Sequence, residues 1–375
     1  MKIALLTQGF RTFAPEASNI TLMTLAEELS KKKHEVVIFC NQILEQPLIE
    51  KIGGYKVIRQ KSDYNKRFKS VIQLFSFSKI IKKEVEQSGK EFDVIHNFSA
   101  SPILAIRAIL AKKYSKNAKL IQTIRSRTSY PFTYLFTGLL NFFDFVTVPT
   151  NDLKKQLNRF GLKSNRIKII PSYTDTEKFK PRNKATLKRK HGFKNKKIIL
   201  YYGHMSEAKG VSYLINAIEL IKNENFIALF VTGSGENFIK PYEELIKKKD
   251  LQNKIKIIKT PVKKTKNIEE YVAMADVAVF PYPNLISTEA QPSCILESMA
   301  SKTTVITSNL PELREFLTEK EVIFASPKNG KDLAKKIKEV IKNNTNPKIT
   351  ERAYKKALEF DYKKVIRGYI DIYSE

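Results

Sequence analysis

Short apolar runs alternate with longer amphipathic stretches over almost the whole chain of 375 residues. The runs 2–7, 35–40, 55–59, 92–96, 119–124, 145–148 and 166–170 have the length and composition of strands. Between the first two, residues 18–32 place Ile20, Leu22, Leu25, Ala26 and Leu29 near one helical face. Strands separated by helices imply a mainly parallel sheet with helices on both faces. Pro171 closes this series, and the polar, lysine-rich segment through Lys190, with Pro181 inside it, reads as a linker. The alternation then restarts with strands at 198–202, 226–232, 254–258, 277–280, 304–307 and 321–324 and a helix at 211–222. The expectation is an α/β chain of two doubly wound domains facing across a cleft. Ligands in such sheets bind beyond the carboxyl ends of strands. That rule selects the loops 8–17, 97–101, 204–210, 233–237 and 282–291.

Composition narrows the function classes. Hydrophobic residues make up 42%, enough for two ordinary cores. No apolar run reaches the length of a membrane span, and the greasiest stretch, 130–148, is interrupted by Pro131, Asn141 and Asp144. The opening MKIALLTQGF reads as a first strand and is too short for a signal peptide, so a cytoplasmic chain is expected. Cys40 and Cys294 lie far apart, without metal or redox spacing. The 67 Lys and Arg against 38 acids give a formal charge of +29, which attracts phosphate-rich partners. Single runs such as 31–33 and 188–197 read better as solvated surface, while the total still calls for a partner. No RNP aromatics or zinc spacing accompany the charge, which argues against nucleic acid as the partner.

The richest loop follows the strand VAVF. It runs through PYPNLISTEAQ, and a helix begins near Pro292, a residue suited to the first helical position. Ile295, Leu296, Met299 and Ala300 form a buried stripe, and Glu297 falls off it. The backbone N–H groups of Ser293, Cys294 and Ile295 would form an anion site, and Glu297, one turn further, would accept hydrogen bonds from paired hydroxyls such as those of a ribose. Spacing alone leaves Glu297 equally a solvated helix carboxylate and Glu289 a loop charge. In YYGHMSEAKG, Lys209 and Gly210 open the next helix, and a mobile ammonium beside backbone dipoles suits a diphosphate, although a solvated lysine reads the same way. TGSG at 232–235 is too short for a dinucleotide fingerprint, the first strand lacks GxGxxG, and no Walker lysine loop is present. Nicotinamide, flavin and Walker-type nucleotide enzymes are therefore set aside.

In order along the chain, KIALLT, LSKKKHEVVIF, FDVIH, IKIIPSYTDTEKFKP, ILYYGHMSEAKGVSYLINAI, YVAMADVAVFP, EAQPSCILESMASKTTVITSNLPELREF and EFDYKKVIRGYIDIY resemble the GT-B-fold retaining glycosyltransferases of family 4, also known as glycosyl transferases group 1. The resemblance runs nearly end to end. It implies two Rossmann-like domains: 1–172 with a returning C-terminal helix 359–375 for the acceptor, and 173–358 for a nucleotide-sugar donor. It implies that Glu297 binds the donor ribose, Glu289 the transferred sugar and Lys209 the diphosphate, with Ser293, Cys294, Ile295 and Gly233 around them. Gly9 lies where members approach acceptor and phosphate, His96 matches a cleft histidine, and Arg125 and Arg127 are positioned to face an anionic acceptor or to pair with acids. His204 stands where the family carries an arginine, and Phe98 where it carries a second histidine; the paired glycines of the first loop are reduced to Gly9. The chemistry implied retains anomeric configuration, with a hexose passing from a UDP- or GDP-linked donor to a lipid-linked or saccharide acceptor, and with no metal or other cofactor. Lys66, Arg67, Lys69, Lys79, Lys82 and Lys83, interleaved with Phe68, Val71, Ile72, Phe75 and Ile80, form either a core-facing helix or a rest on an anionic membrane surface. A non-catalytic GT-B scaffold and a basic nucleic-acid-binding protein are the competing readings.

Overall fold

The computed structural model describes residues 1–10, 17–43, 46–61, 69–99, 102–127, 137–259, 267–286, 288–343 and 346–375. The chain divides into two compact units, Met1–Pro171 with Val365–Glu375, and Ser172–Lys364. The return to the first unit comes at Val365 and not at 359. Residues 360–362 pair with the start of the second unit: Thr174 N–H donates to the Phe360 carbonyl and Tyr362 N–H to the Thr174 carbonyl, each at 3.0 Å. The Thr176 hydroxyl donates to Asp361.

In the first unit the strands are β1 (Lys2–Gly9), β2 (Glu35–Asn41), β3 (Ile49–Ile52), β4 (Tyr55–Gln60), β5 (Val94–Phe98), β6 (Lys119–Thr123), β7 (Phe145–Val148) and β8 (Ile167–Ile169). They lie in the order β3-β4-β2-β1-β5-β6-β7-β8, parallel throughout except for the β3–β4 pair. Ile3 to Leu6 of β1 are wholly buried, which is why the strand reads as a continuous apolar run. β3 escaped the sequence reading because it is a short edge strand, half exposed along its length and reversed onto β4 by Gly53 and Gly54 at positive φ.

On helix Ala17–Lys31, Leu22, Leu25, Ala26 and Leu29 are buried, while Ile20 is exposed. On helix Lys69–Ser88, Phe77 and Ile81 are buried and Lys79, Lys82 and Lys83 are exposed, so this half of the segment is amphipathic in the core-facing sense. Residues 66–68, and the side chains of Lys69, Val71, Ile72 and Phe75, lie outside the described residues.

The second unit contains β9 (Lys197–Tyr202), β10 (Phe226–Thr232), β11 (Ile255–Lys259), β12 (Val277–Phe280), β13 (Thr304–Ser308) and β14 (Ile323–Ala325). The order is β11-β10-β9-β12-β13-β14, all parallel. The strand order reverses at β9, so the crevice between the ends of β9 and β12 is the topological switch point, where such sheets bind ligands. Val211, Leu214, Ile218, Ile337 and Val340 cover one face of the sheet; Val272, Ile295, Met299, Leu313 and Ala353 cover the other. Each fully buried Val, Leu or Ile among them contributes about 1.5–3 kcal/mol. The expected linker holds a helix, Lys184–Lys190, whose Leu187 packs into this core. Among the described residues, no helix is long and apolar enough to cross a membrane.

Candidate functional site

Helix Ser293–Ala300 starts beside the switch point. Pro292, with φ −65° and ψ 123°, is the residue before its first turn and not the first helical position. Ile295 N–H turns back to the Pro292 carbonyl at 3.2 Å. Of the three amides expected to face an anion, Ile295 is therefore committed, and only those of Ser293 and Cys294 meet no acceptor among the described residues. They sit at the positive end of the helix dipole and can still receive a phosphate oxygen.

Glu297 lies one turn in and is half-buried. Tyr202, the last residue of β9, directs its hydroxyl at Glu297 Oε2 (2.9 Å) and at the Cys294 carbonyl (2.8 Å), so one proton is shared between two acceptors. Ser298 Oγ also donates to that carbonyl, at 2.8 Å. Burial pushes the Glu297 carboxyl up to about 7; the Tyr202 hydrogen bond and the Lys178 ammonium oppose this, and the charge of Glu289 adds to it.

Lys209 closes a short 3-10 turn, Glu207–Lys209, followed by Gly210 at φ 75°. A Cβ on Gly210 would stand 1.9 Å from the Pro281 carbonyl oxygen, so only glycine lets this turn lie against the exit of β12. That contact carries Lys209 to the Cys294 end of the helix: its Nζ is 5.4 Å from the ring centroid of Tyr282, and the Tyr282 hydroxyl is 3.2 Å from Cys294 Sγ. Burial holds the Cys294 thiol up at about 12, although the Tyr282 hydrogen bond and the Lys209 charge pull it down, so it stays protonated and inert. The half-buried Glu289 exerts its charge on Tyr282, Cys294 and Glu297. Lys209, Glu289, Cys294 and Glu297 thus form one constellation around Tyr202 and Tyr282.

His204 is exposed beyond the end of β9, with Gly233 exposed beyond β10. Ser234 Oγ accepts from Met205 N–H and from the Thr232 hydroxyl, both at 2.9 Å. With its acceptor positions filled, its own proton goes to His204 Nδ1, also at 2.9 Å. A neutral His204 then carries its proton on Nε2. Its ring meets the edge of the exposed Phe238, with centroids 4.7 Å apart.

The first-unit candidates are placed differently. His96 is wholly buried, with Nδ1 2.6 Å from the Tyr373 hydroxyl and Nε2 2.7 Å from the Thr123 hydroxyl. Both ring nitrogens are used inside the unit, and burial holds its pKa well below the ordinary range. This corrects the expectation of a catalytic histidine: His96 ties the C-terminal helix to β5 and β6. Phe98 stacks on it, with centroids 4.0 Å apart. Arg127 pairs with Asp152, through Nε at 3.0 Å, and Arg125 donates to the Thr21 hydroxyl, so both guanidinium groups have partners within the unit. Gly9 ends β1, where a Cβ would stand 2.3 Å from Ile43 Cδ1.

Residues 183–358 match the family model for glycosyl transferases group 1, and residues 18–178 the model for glycosyltransferase family 4. The alpha-monoglucosyldiacylglycerol synthase of Streptococcus pneumoniae is 23% identical, with 99% of this chain and 86% of that one aligned. The GPI3 subunit of the phosphatidylinositol N-acetylglucosaminyltransferase of Saccharomyces cerevisiae is 20% identical over 93% of this chain and 78% of its own length. Anabaena Alr3699/HepE, solved with UDP and glucose, superposes with a TM-score of 0.82 at 17% identity over 100% of both chains. Sucrose-phosphate synthase of Thermosynechococcus elongatus gives 0.83 at 19%, over 100% of this chain and 98% of that one. The chain belongs to the GT-B glycosyltransferases of group 1.

In this glycosyltransferase, the sequence reading gave no role to four residues of the candidate site, Lys178, Tyr202, Ser234 and Tyr282, although the selected loops 233–237 and 282–291 contain Ser234 and Tyr282. The hydroxyl of the tyrosine ending ILYY was the visible signal for Tyr202, because a buried strand end supplies few other donors to a nearby carboxylate. Lys178 had no signal, lying among linker lysines.

Proposed function

We propose that this glycosyltransferase moves a hexose, with retention of configuration, from a UDP-linked donor to a lipid-linked acceptor. The observation that carries the reading is the half-buried Glu297 carboxylate one turn beyond two open amide N–H groups, with Lys209 beside them. In this reading the diphosphate rests on the Ser293 and Cys294 amides and on Lys209, the ribose hydroxyls meet Glu297, and the sugar lies toward Glu289. His204 Nε2–H supplies one further hydrogen bond to the diphosphate in place of an arginine fork. The anomeric C–O bond breaks, and its electron pair goes to the departing diphosphate oxygen. The acceptor hydroxyl attacks on the same face and gives its proton to that oxygen. Stabilising the leaving charge is the largest contribution, and it falls to Lys209 and the helix end. No metal enters these steps, so turnover should survive EDTA.

UDP is favoured by the likeness to the HepE complexes, and a lipid-linked acceptor by the two relatives named for diacylglycerol and phosphatidylinositol. The first unit takes the acceptor role in this reading, and the exposed Lys79, Lys82 and Lys83 fit work at the cytoplasmic face of an anionic membrane. The test is nucleotide release from UDP-, GDP- and ADP-hexoses with diacylglycerol- or inositol-lipid vesicles, followed by NMR of the product's anomeric proton. UDP at about a hundred times its Kd should add roughly 2.7 kcal/mol to stability. Binding of UDP without turnover of any donor would favour the scaffold reading.

A further inference from the structure

The second unit carries a basic groove at the opposite pole of its sheet from the donor constellation. A cavity of about 550 Å³ is lined by Lys184, Lys188, Arg189, Lys194, Lys196 and Lys197. Lys197 is the first residue of β9 and Tyr202 the last, so the length of the strand separates this groove from Glu297. Helix Lys184–Lys190 places Lys184 and Lys188 four residues apart, on one face, over the starts of β9 and β12.

The floor of the groove is short of negative charge. Asp276 Oδ2 receives Lys188 Nζ at 2.5 Å and the Ile198 N–H at 2.7 Å, while Oδ1 is 3.9 Å from Lys197 Nζ. Lys184 Nζ reaches the Ala275 carbonyl at 2.7 Å. Burial lowers its pKa; Asp276 opposes that, and the like charges of Lys188 and Lys197 reinforce it. Lys188 and Lys197 thus share the Asp276 carboxylate, and the Lys184 ammonium lies close enough to feel its charge. On the rim Arg189 reaches the Thr186 hydroxyl at 3.5 Å and Lys196 reaches Asn225 Oδ1 at 3.1 Å, both neutral atoms. Glu270 is committed to Lys190 and His191. A concave surface with this excess of one sign focuses its field into the cavity.

We propose that this groove is a second anion site, which binds a small ligand carrying several phosphate groups. Its volume falls in the range of roughly 300–1,000 Å³ usual for small-molecule sites. A membrane fits it less well: none of the exposed large apolar side chains among the described residues comes from 184–197, so the rim offers nothing to insert beside lipid headgroups. The proposal is independent of what the donor site binds.

Inorganic tripolyphosphate is the probe, titrated calorimetrically at low salt into Lys209→Ala protein, in which the other anion site is weakened. One binding event should persist. Adding Lys194→Glu and Lys196→Glu, two exposed positions whose reversal leaves the core untouched, should weaken it by about tenfold or more. Arg189→Glu should do the same, and circular dichroism melting should show all variants folded. Equal affinity with and without the reversals overturns the proposal. It is also overturned if tripolyphosphate fails to bind while phosphatidylglycerol vesicles, and not phosphatidylcholine vesicles, capture the protein through these same lysines.

Discussion

The Tyr202 hydroxyl lies 2.9 Å from Glu297 Oε2 and divides its proton between that carboxylate and the Cys294 carbonyl. Half a hydrogen bond is a weak offset to burial, and this is why the Glu297 carboxyl rises to about 7. Between about 4.5 and 7 the folded protein keeps a proton that the unfolded chain has released. The contribution of this group to stability therefore falls as pH rises through that window. Paired ligand hydroxyls favour the charged carboxylate, so donor affinity should run the other way, rising up to about pH 7 and levelling above it. Calorimetric Kd values for a UDP-sugar should be several-fold weaker at pH 6 than at pH 8. Tyr202→Phe should move the midpoint upward, and Glu297→Gln should flatten the profile. A flat profile in the parent protein would sink the assignment.

Lys209 depends on Gly210 for its position. Lys209→Ala should lower kcat by roughly 10²–10³, the effect of losing one donor to developing charge, about 2.7–4 kcal/mol. Gly210→Ala tests the positioning separately. A methyl group 1.9 Å from the Pro281 carbonyl, at φ 75°, must displace the turn. Activity should fall with the lysine still present, and the melting temperature should fall as well. Unchanged turnover in Lys209→Ala would refute its role.

His96 belongs to the architecture. Its two nitrogens hold Tyr373 and Thr123, and the Thr123 hydroxyl lies 2.6 Å from that of Thr147. His96→Ala should destabilise the protein by about 2 kcal/mol or more by stranding buried hydroxyls. Denaturant melts should register that loss, while kcat per folded molecule stays within a few-fold.

The strands were legible because parallel strands covered on both faces must be written as unbroken apolar runs. Helix Lys184–Lys190 was not, because a single buried leucine among lysines carries too little periodicity to separate a helix from a linker. The Glu297 site was half legible: a proline-led helix after a strand end marks an anion site, but the turn of Pro292 that takes Ile295 N–H out of it is a matter of geometry. His96 misled for a general reason. Residue type and local motif do not show a partner 277 positions away, and Tyr373 decides what that histidine does.

His204 stands where the resemblance calls for arginine, and Ser234 decides what it can offer. Because Ser234 Oγ already accepts from Met205 N–H and the Thr232 hydroxyl, the donor it presents to Nδ1 leaves the ring proton on Nε2. Ser234→Ala removes that preference and frees the ring to rotate. Donor KM should rise by about 2- to 10-fold, the span of one neutral hydrogen bond, with kcat little changed. Nitrogen-15 NMR of the imidazole should show the Nε2–H form in the parent protein and a mixture in Ser234→Ala. His204→Arg should work in the opposite direction: a permanent charge with a two-pronged donor should lower donor KM and remove any pH dependence due to His204. If Ser234→Ala shifts the tautomer while donor KM stays fixed, the ring is set as described but lies outside the diphosphate site.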